Sequence, residues 1–284
     1  MKFLLRLFRL WFARPIASPT LVSGPPLWSE LSPTEPAIVE DMPQLEGYRV
    51  LGLVGSGEMG SVYKASRNNQ MVALKTGQGE RFEREVEVLG KLGRLLDAGP
   101  GFACLEWVEG ASLAALLGRR PLEVNEFSSL AAQLLAELQA AHDRGVCHRD
   151  VKSANVMVSL EGTARLVDFG LALGEGDARF TMNGYSMGTP AYMAPEVLLK
   201  GISDARSDQY ALGVVFFEML SGWPPFQSEN PMELGMMHVR KPVPDLRAMR
   251  PEVPSAWVST IERMLAKEPS ARYESLAQVA FKAA

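Results

Sequence analysis

The sequence predicts an α+β fold of two lobes, a small β-rich lobe followed by a larger helical lobe. From 48 to 107, short runs rich in Val and Tyr alternate with turn residues, a pattern typical of strands. After Gly110 the apolar residues recur with helical spacing, most clearly from Phe127 to His142 and from Asp208 to Leu220. Two lobes of different composition also predict a cleft between them, where ligands commonly bind.

The composition narrows the class of protein. The 284 residues are 47% hydrophobic and 22% charged, as in ordinary soluble domains. A net charge of −4 argues against a general nucleic-acid binder, so we expect no nucleic-acid partner. The two cysteines, Cys104 and Cys147, lie in apolar runs without metal-ligand spacing. We therefore expect two buried free thiols rather than a zinc site or a disulfide scaffold.

Residues 1–14 are predicted to form a basic amphipathic helix. Lys2, Arg6 and Arg9 fall on one helical face, with aromatic and aliphatic residues largely opposite. The segment is too short to cross a bilayer and is better interpreted as a helix on a membrane surface. It predicts a cytoplasmic protein in peripheral contact with the inner face of the membrane. The alternatives are a helix docked on the folded domain and an artefact of the start site.

Residues 15–44 are predicted to be an extended linker, because their prolines fix φ and remove backbone donors. The two-lobed domain then runs over 45–284, with the first lobe at about 45–107 and the second at about 111–284. In the first lobe, strands are predicted at 48–54, 61–65 and 71–75, and a helix at 81–92. Two further strand-like runs flank the turn at 99–101.

A glycine-rich turn follows the first predicted strand. Gly55, Gly57 and Gly60 form a GxGxxG pattern, whose backbone N–H groups can approach phosphate oxygens closely. A dinucleotide-binding fold needs a helix directly after the third glycine, but 61–64 is strand-like. No Gly-Lys-Ser/Thr follows, which excludes a Walker loop. A plain hairpin turn remains the alternative.

A lysine in an apolar strand predicts a buried partner of opposite charge. Lys75 ends the run Val72-Ala73-Leu74, and an unpaired buried charge is very costly. Glu85 is the best inward-facing carboxylate of the following helix. The lysine could hold the phosphates of a nucleotide as a point charge, and the alternative is a surface salt bridge.

Polar residues crowd a loop at 148–155, between apolar elements. Asp150 can accept a hydroxyl proton, Lys152 can neutralise a moving phosphoryl group, and Asn155 can bind a metal through its amide oxygen. Asp168 follows the next predicted hairpin and offers a second hard oxygen ligand, suited to Mg²⁺. Taken singly, each motif could be an Asp-capped turn.

In this order and spacing the motifs resemble those of the Hanks-type Ser/Thr protein kinases, including bacterial members. The resemblance runs from about Tyr48 to Val279 and also covers 188–196, 207–213 and 267–273. It implies a protein-kinase fold with a β-rich N-lobe and a helical C-lobe. It also implies an ATP-dependent serine/threonine protein kinase that uses Mg²⁺, with Mn²⁺ as the alternative, and acts on proteins.

The resemblance assigns roles to individual residues. It makes Asp150 the catalytic base assisted by Lys152, makes Lys75 and Glu85 the activating ion pair, and makes Asn155 and Asp168 the metal ligands. Leu105 is implied to be the gatekeeper of the adenine pocket, beside the hinge. The residues implied to bind ATP are Gly55, Ser56, Gly57, Gly60, Val62, Ala73, Lys75, Leu105, Glu106, Val108 and Met157.

Regulatory and structural roles follow from the same resemblance. Arg149 would receive a phosphate from the activation segment, in which Thr181 and Ser186 are the candidate autophosphorylation sites. The resemblance also implies a buried ion pair between Glu196 and Arg272. Asp208 is implied to anchor the backbone of the loop at 148–150.

The chain departs from the family pattern at 89–95, which lacks the usual His-Pro-Asn-Ile-Val turn after the helix. That turn normally ties the helix to the next strand, so the sequence leaves the resting position of Glu85 undetermined. No segment follows Ala284, so we expect any membrane link to come from residues 1–14. Two other functions stay open: a pseudokinase scaffold and a small-molecule phosphotransferase.

Overall fold

A five-stranded antiparallel sheet forms the first lobe of the computed structural model, which describes residues 25–31, 36–38, 42–57, 60–169 and 190–281. The strand order is β1-β2-β3-β5-β4. The strands are β1 (Arg49–Gly57), β2 (Gly60–Arg67), β3 (Gln70–Thr76), β4 (Leu95–Gly99) and β5 (Phe102–Glu106). Helix α1 (Glu80–Lys91) lies between β3 and β4 in the chain and buries the apolar residues Phe82 and Leu89 together with Glu85.

Helices dominate the second lobe, which confirms the predicted α+β fold of two lobes. The described helices are α2 (Leu113–Leu117), α3 (Val124–His142), α4 (Pro195–Lys200), α5 (Ala205–Ser221), α6 (Pro231–Arg240), α7 (Leu246–Met249) and α8 (Ser255–Met264). A small antiparallel sheet of β6 (Gly110–Ser112), β7 (Val156–Ser159) and β8 (Ala164–Leu166) carries the catalytic-loop region.

Helix α5 is the centre of the second lobe. Every residue from Ser207 to Leu220 is buried, so the helix packs on all sides rather than along one stripe. Phe216 of this helix meets Phe127 of α3 edge-to-face, with ring centroids 5.6 Å apart. The described cysteines, Cys104 and Cys147, are both buried and unbridged, as predicted.

A buried ion pair ties α4 to the C-terminal part of the lobe. Arg272 donates to both carboxylate oxygens of Glu196 at 2.7 and 2.8 Å. It also donates to the carbonyls of Ala266, Arg206 and Lys267, so all of its nitrogens are hydrogen-bonded. A buried charge is tolerated where it is paired and hydrogen-bonded in this way, and the ion pair implied by the resemblance is confirmed.

Two short pieces of the predicted linker contact the folded domain. Leu27–Glu30 is a 3₁₀ turn, and the buried Leu27 donates its N–H to Glu126 at 2.6 Å. Ala37 forms a bridge with Leu53 of β1. The division of the chain into helix, linker and domain remains a prediction, since residues 1–24 lie outside the described part.

Among the described residues, no helix is both long enough and apolar enough to cross a membrane. The basic helix predicted at 1–14 lies outside them, and so do the candidate phosphorylation sites Thr181 and Ser186.

Candidate active site

A cleft with a volume of about 670 Å³ lies between the two lobes. The eleven residues predicted to bind ATP all line it, and the predicted catalytic and metal-binding residues Glu85, Asp150, Lys152, Asn155 and Asp168 line it too. The strand pairing explains part of this: Ala73 of β3 is directly opposite Leu105 of β5, at the back of the cleft. Residues 58–59, at the tip of the glycine-rich turn, lie outside the described residues.

Lys75 lies between two carboxylates. Its Nζ donates to Glu85 Oε1 at 2.5 Å and to Asp168 Oδ1 at 2.9 Å. Lys75 and Glu85 are buried, so neither charge could remain there without the other. The contact settles the resting position of Glu85 in this structure: it faces the cleft.

The electrostatics favour the ionised forms of Lys75 and Asp168, whereas burial raises the pKa of Glu85 despite the neighbouring Lys75 ammonium. Burial alone would lower the pKa of Lys75, but the carboxylates of Asp168 and Glu85 outweigh it and leave the pKa raised. Burial would raise the pKa of Asp168, but Lys75 holds it below its usual value. Asp168 is therefore an anion at neutral pH.

The loop at 148–155 brings the predicted catalytic side chains of Asp150 and Lys152 together with the predicted metal ligand Asn155. Lys152 Nζ donates to Asp150 Oδ2 at 2.6 Å. Asn155 Nδ2 donates to the same Oδ2 and to the Asp150 carbonyl, each at 2.9 Å. The carboxylate of Asp150 is thereby held in one orientation, and the amide oxygen of Asn155 is turned away from it.

Asp208 anchors the backbone of this loop, as the resemblance implied. Its two oxygens accept the N–H of His148 at 2.7 Å and that of Arg149 at 2.8 Å. His142 makes a third contact with this carboxylate, its Nε2 lying 2.9 Å from Oδ2. These bonds hold Arg149 at a φ of 64°, a left-handed conformation that non-glycine residues seldom adopt.

Asp168 and Phe169 follow strand β8. Asp168 has a φ of 65°, and the fully buried Phe169 lies with its ring centroid 4.4 Å from that of His148. Burial lowers the pKa of His148, so this ring is neutral; its Nε2 lies 3.2 Å from the Val167 carbonyl. Packing of Phe169 therefore turns Asp168 toward the cleft.

Two oxygen donors in the cleft fit a hard divalent cation. Asp168 is ionised and uses only Oδ1 for Lys75, and the carbonyl oxygen of Asn155 is not used for Asp150. Carboxylate and amide oxygens are the protein ligands that hard divalent cations prefer.

A separate set of metal-binding residue types surrounds Asp208. Ligand atoms of His142, Cys147 and Asp208 lie within 4.8 Å of one another. The backbone and imidazole bonds to Asp208 account for this grouping, which the sequence spacing did not predict.

Several residues that line the cleft were not predicted from the sequence, and Arg94 is the most consequential of them. Arg94 donates to the carbonyl of Leu166 and to Glu137 of α3, each at 2.5 Å. The one available signal was an arginine directly after Gly93, at the point where the family's usual turn is missing.

Comparisons with known proteins give the family. Residues 100–282 match the protein kinase domain. The chain is 36% identical over 256 residues to the DNA damage-responsive serine/threonine-protein kinase RqkA of Deinococcus radiodurans, covering 82% of this chain and 38% of that protein.

Two mycobacterial proteins are similarly related. Identity is 34% over 257 residues to the serine/threonine-protein kinase PknH of Mycobacterium tuberculosis, covering 83% of this chain and 41% of PknH. It is 35% over 264 residues to PknD of the same organism, covering 84% of this chain and 40% of PknD. The chain thus spans about two-fifths of the length of these relatives.

The family of these relatives and the residues of the cleft indicate the same chemistry. The family uses ATP and a divalent metal ion, which matches the lysine, carboxylates and amide that line the cleft. The chain therefore belongs to the protein kinase family and, as its sequence predicted, to the Hanks-type serine/threonine kinases of bacteria.

Proposed function

We propose that this chain transfers the γ-phosphoryl group of ATP to serine or threonine hydroxyls of proteins. One observation carries the proposal: Lys75, bonded to both Glu85 and Asp168, faces the same cleft as Asp150, Lys152 and Asn155. Phosphoryl transfer depends mainly on positioning and on neutralising charge, and this arrangement suits both needs.

The nucleotide is proposed to enter between the glycine-rich turn and the second lobe. Lys75 is a point charge for the α- and β-phosphates, and Glu85 keeps it in place. Leu105, with the hinge residues Glu106 and Val108, lines the part of the cleft where adenine would bind.

The metal is proposed to be Mg²⁺, with Mn²⁺ as the alternative, held by Asp168 and Asn155. When bound, it would neutralise charge on the phosphate oxygens. In the chain itself, the lowered pKa of Asp168 keeps that ligand deprotonated at neutral pH.

Asp150 is proposed to orient the incoming hydroxyl and accept its proton. The bonds from Lys152 and Asn155 fix the orientation of the carboxylate, which is what a general base requires. Lys152 lies on the same side and can neutralise charge on the moving phosphoryl group.

Serine and threonine are the proposed acceptors on two grounds. Lys152, two residues after Asp150, is typical of kinases that act on these residues. The relatives from Deinococcus and Mycobacterium are named serine/threonine-protein kinases. A small-molecule phosphotransferase is the less favoured alternative.

Regulation is proposed to involve phosphorylation of the chain itself. Arg149, next to the catalytic base, would receive a phosphate carried by Thr181 or Ser186. Peripheral membrane contact through residues 1–14 likewise remains a proposal from the sequence.

The test is phosphoryl transfer by purified variants. With radiolabelled ATP, Mg²⁺ and a generic protein substrate, Lys75→Met and Asp168→Asn should each lose at least about 10²-fold in rate. Labelled peptides from the unaltered chain should include those with Thr181 or Ser186, and Asp150→Asn protein should lack them. Thermal melting should show that the variants fold.

Lys91→Met is the matched control, because Lys91 is an exposed lysine at the end of α1, outside the cleft. It should retain the activity of the unaltered chain. Full activity in Lys75→Met or Asp168→Asn would contradict the proposed roles. Nucleotide binding by the unaltered chain with no labelling of any polypeptide would favour the pseudokinase scaffold instead.

A further inference from the structure

We infer that Arg94 and Glu137 form a latch between the lobes that positions both Glu85 and Asp168 for catalysis. The latch is defined as these two side chains together with the Leu166 peptide groups that they bind. Both are positioning residues, and the inference rests on the roles proposed above for Lys75, Glu85 and Asp168.

The backbone fixes Arg94 rigidly to the end of helix α1. Gly93, at a φ of 68°, donates its N–H to the Gly90 carbonyl at 3.0 Å, and the N–H of Arg94 bonds the Leu89 carbonyl at 2.9 Å. This pair of bonds around a left-handed glycine is a Schellman motif, which ends a helix in one defined conformation. Arg94 therefore moves together with the helix that carries Glu85.

The guanidinium group of Arg94 reaches into the second lobe. Nη2 donates to Glu137 Oε1, and Nη1 donates to the Leu166 carbonyl, both at 2.5 Å. The centre of the guanidinium lies 4.8 Å from the ring centroid of Phe169, within range of a cation–π interaction. One side chain of the first lobe thus contacts α3, β8 and the residue directly after Asp168.

Glu137 completes the latch from the opposite side. Its Oε2 accepts the N–H of Leu166 at 2.6 Å, while Oε1 holds Arg94. The two side chains therefore bind the N–H and the carbonyl of one residue, just upstream of Asp168. The side chains of Glu137 and Arg94 are only 10% and 24% exposed, so solvent ions screen this pair less than a surface pair.

The latch connects helix α1 to the second lobe in place of the turn that is missing at 89–95. The family's usual turn after this helix is missing, yet Glu85 is bonded to Lys75. Arg94 holds the C-terminal end of α1 against β8, and only Val167 separates β8 from Asp168. The carboxylates of Glu85 and Asp168 then meet at Lys75 from the two lobes.

The first measurement is steady-state kinetics of Arg94→Ala and Glu137→Gln. Displacement of catalytic groups by about 1 Å can cost roughly 10²-fold, so we expect kcat to fall by about 10- to 100-fold in each variant. KM for a peptide substrate should be unchanged. Arg94→Lys should recover only part of the rate, because an ammonium has no planar fork to span Glu137 and the Leu166 carbonyl.

The double variant tests whether the two residues act as one unit. Arg94→Ala/Glu137→Gln should lose no more than the worse single variant. Arg84→Ala removes an exposed arginine of the same helix and is the control. It should retain the kcat of the unaltered chain.

A second readout needs neither ATP nor metal. Hydrogen exchange of the peptide spanning 164–169 should be faster in Arg94→Ala than in the unaltered chain, with exchange in α5 unchanged. Unchanged exchange, full kcat in Arg94→Ala, or an equal loss in Arg84→Ala would overturn the latch. If the unaltered chain proves inactive, the proposed function fails, while the exchange comparison still decides whether Arg94 holds this strand.

Discussion

Two residues of the candidate site hold a backbone conformation that is unfavourable for their type. Arg149 and Asp168 have φ values of 64° and 65°, and such positions cost on the order of 1–3 kcal/mol each. The bonds from Asp208 hold the first, and burial of Phe169 holds the second. These two conformations lower the stability of the fold, and they occur where the backbone must direct Asp150 and Asp168 toward the cleft.

The hairpin between β2 and β3 has the same left-handed backbone conformation, although it lies outside the candidate site. Asn68 and Asn69 have φ values of 50° and 64° in a two-residue connection, the pattern of a type I′ turn. Glycine is favoured at the second position. We expect Asn69→Gly to raise the free energy of unfolding by up to about 1 kcal/mol, measured by urea denaturation.

Asn69→Val is the matching variant in the opposite direction, because a β-branched side chain fits a left-handed position poorly. It should lower stability, with phosphoryl transfer unaffected in both variants. If the glycine and valine variants have the same free energy of unfolding, the backbone conformation at residue 69 does not affect stability.

At the scale of elements, the 3₁₀ turn Leu27–Glu30 acts as part of the domain. Leu27 is 2% exposed and packs in the core of the second lobe. A Cβ placed on Gly162, which has a φ of 80°, would lie 2.6 Å from the Trp28 indole. The glycine at this hairpin therefore makes room for the tryptophan.

We expect Leu27→Ala to destabilise the protein by about 2–5 kcal/mol, the range for truncating a buried leucine. Urea denaturation of the full chain measures it. Ile38→Ala is the control from the same segment, because Ile38 is 84% exposed and should cost little. A neutral Leu27→Ala would mean that this turn is not held against the domain in solution.

For the molecule as a whole, the sequence predicted features with a local signature and missed those made at long range. The predicted helix at 81–92 and the strand runs around 99–101 match α1, β4 and β5, because period and turn residues are local properties. The ATP-binding, catalytic and metal-binding residues implied by the kinase motifs all line one cleft. The Arg94–Glu137 pair and the docking of Leu27 join distant segments, and no periodicity encodes them.

Glu218 connects three parts of the second lobe and should make stability depend on pH. It lies in α5 and accepts hydrogen bonds from Tyr192 at 2.7 Å and from Ser153 of the catalytic loop at 3.2 Å. Burial raises its pKa to about 7, above the ordinary value of 4.5. The folded state therefore binds a proton that the unfolded state releases between these two pH values.

It follows that the contribution of Glu218 is fully present below about pH 4.5 and is lost as the pH rises through about 7. The loss is on the order of 3 kcal/mol, and Glu218→Gln should abolish it, since the amide cannot ionise. The unaltered chain should thus have the larger free energy of unfolding at pH 5, and Glu218→Gln should have the larger one at pH 7.5. The difference between the two proteins is the quantity to follow, because His238, whose pKa burial lowers to about 3, changes stability in the opposite direction. Glu262→Gln removes an exposed carboxylate and is the control, which should leave the pH dependence of stability unchanged. If the stability of Glu218→Gln changes with pH in the same way as that of the unaltered chain, the buried carboxyl of Glu218 does not titrate in this range.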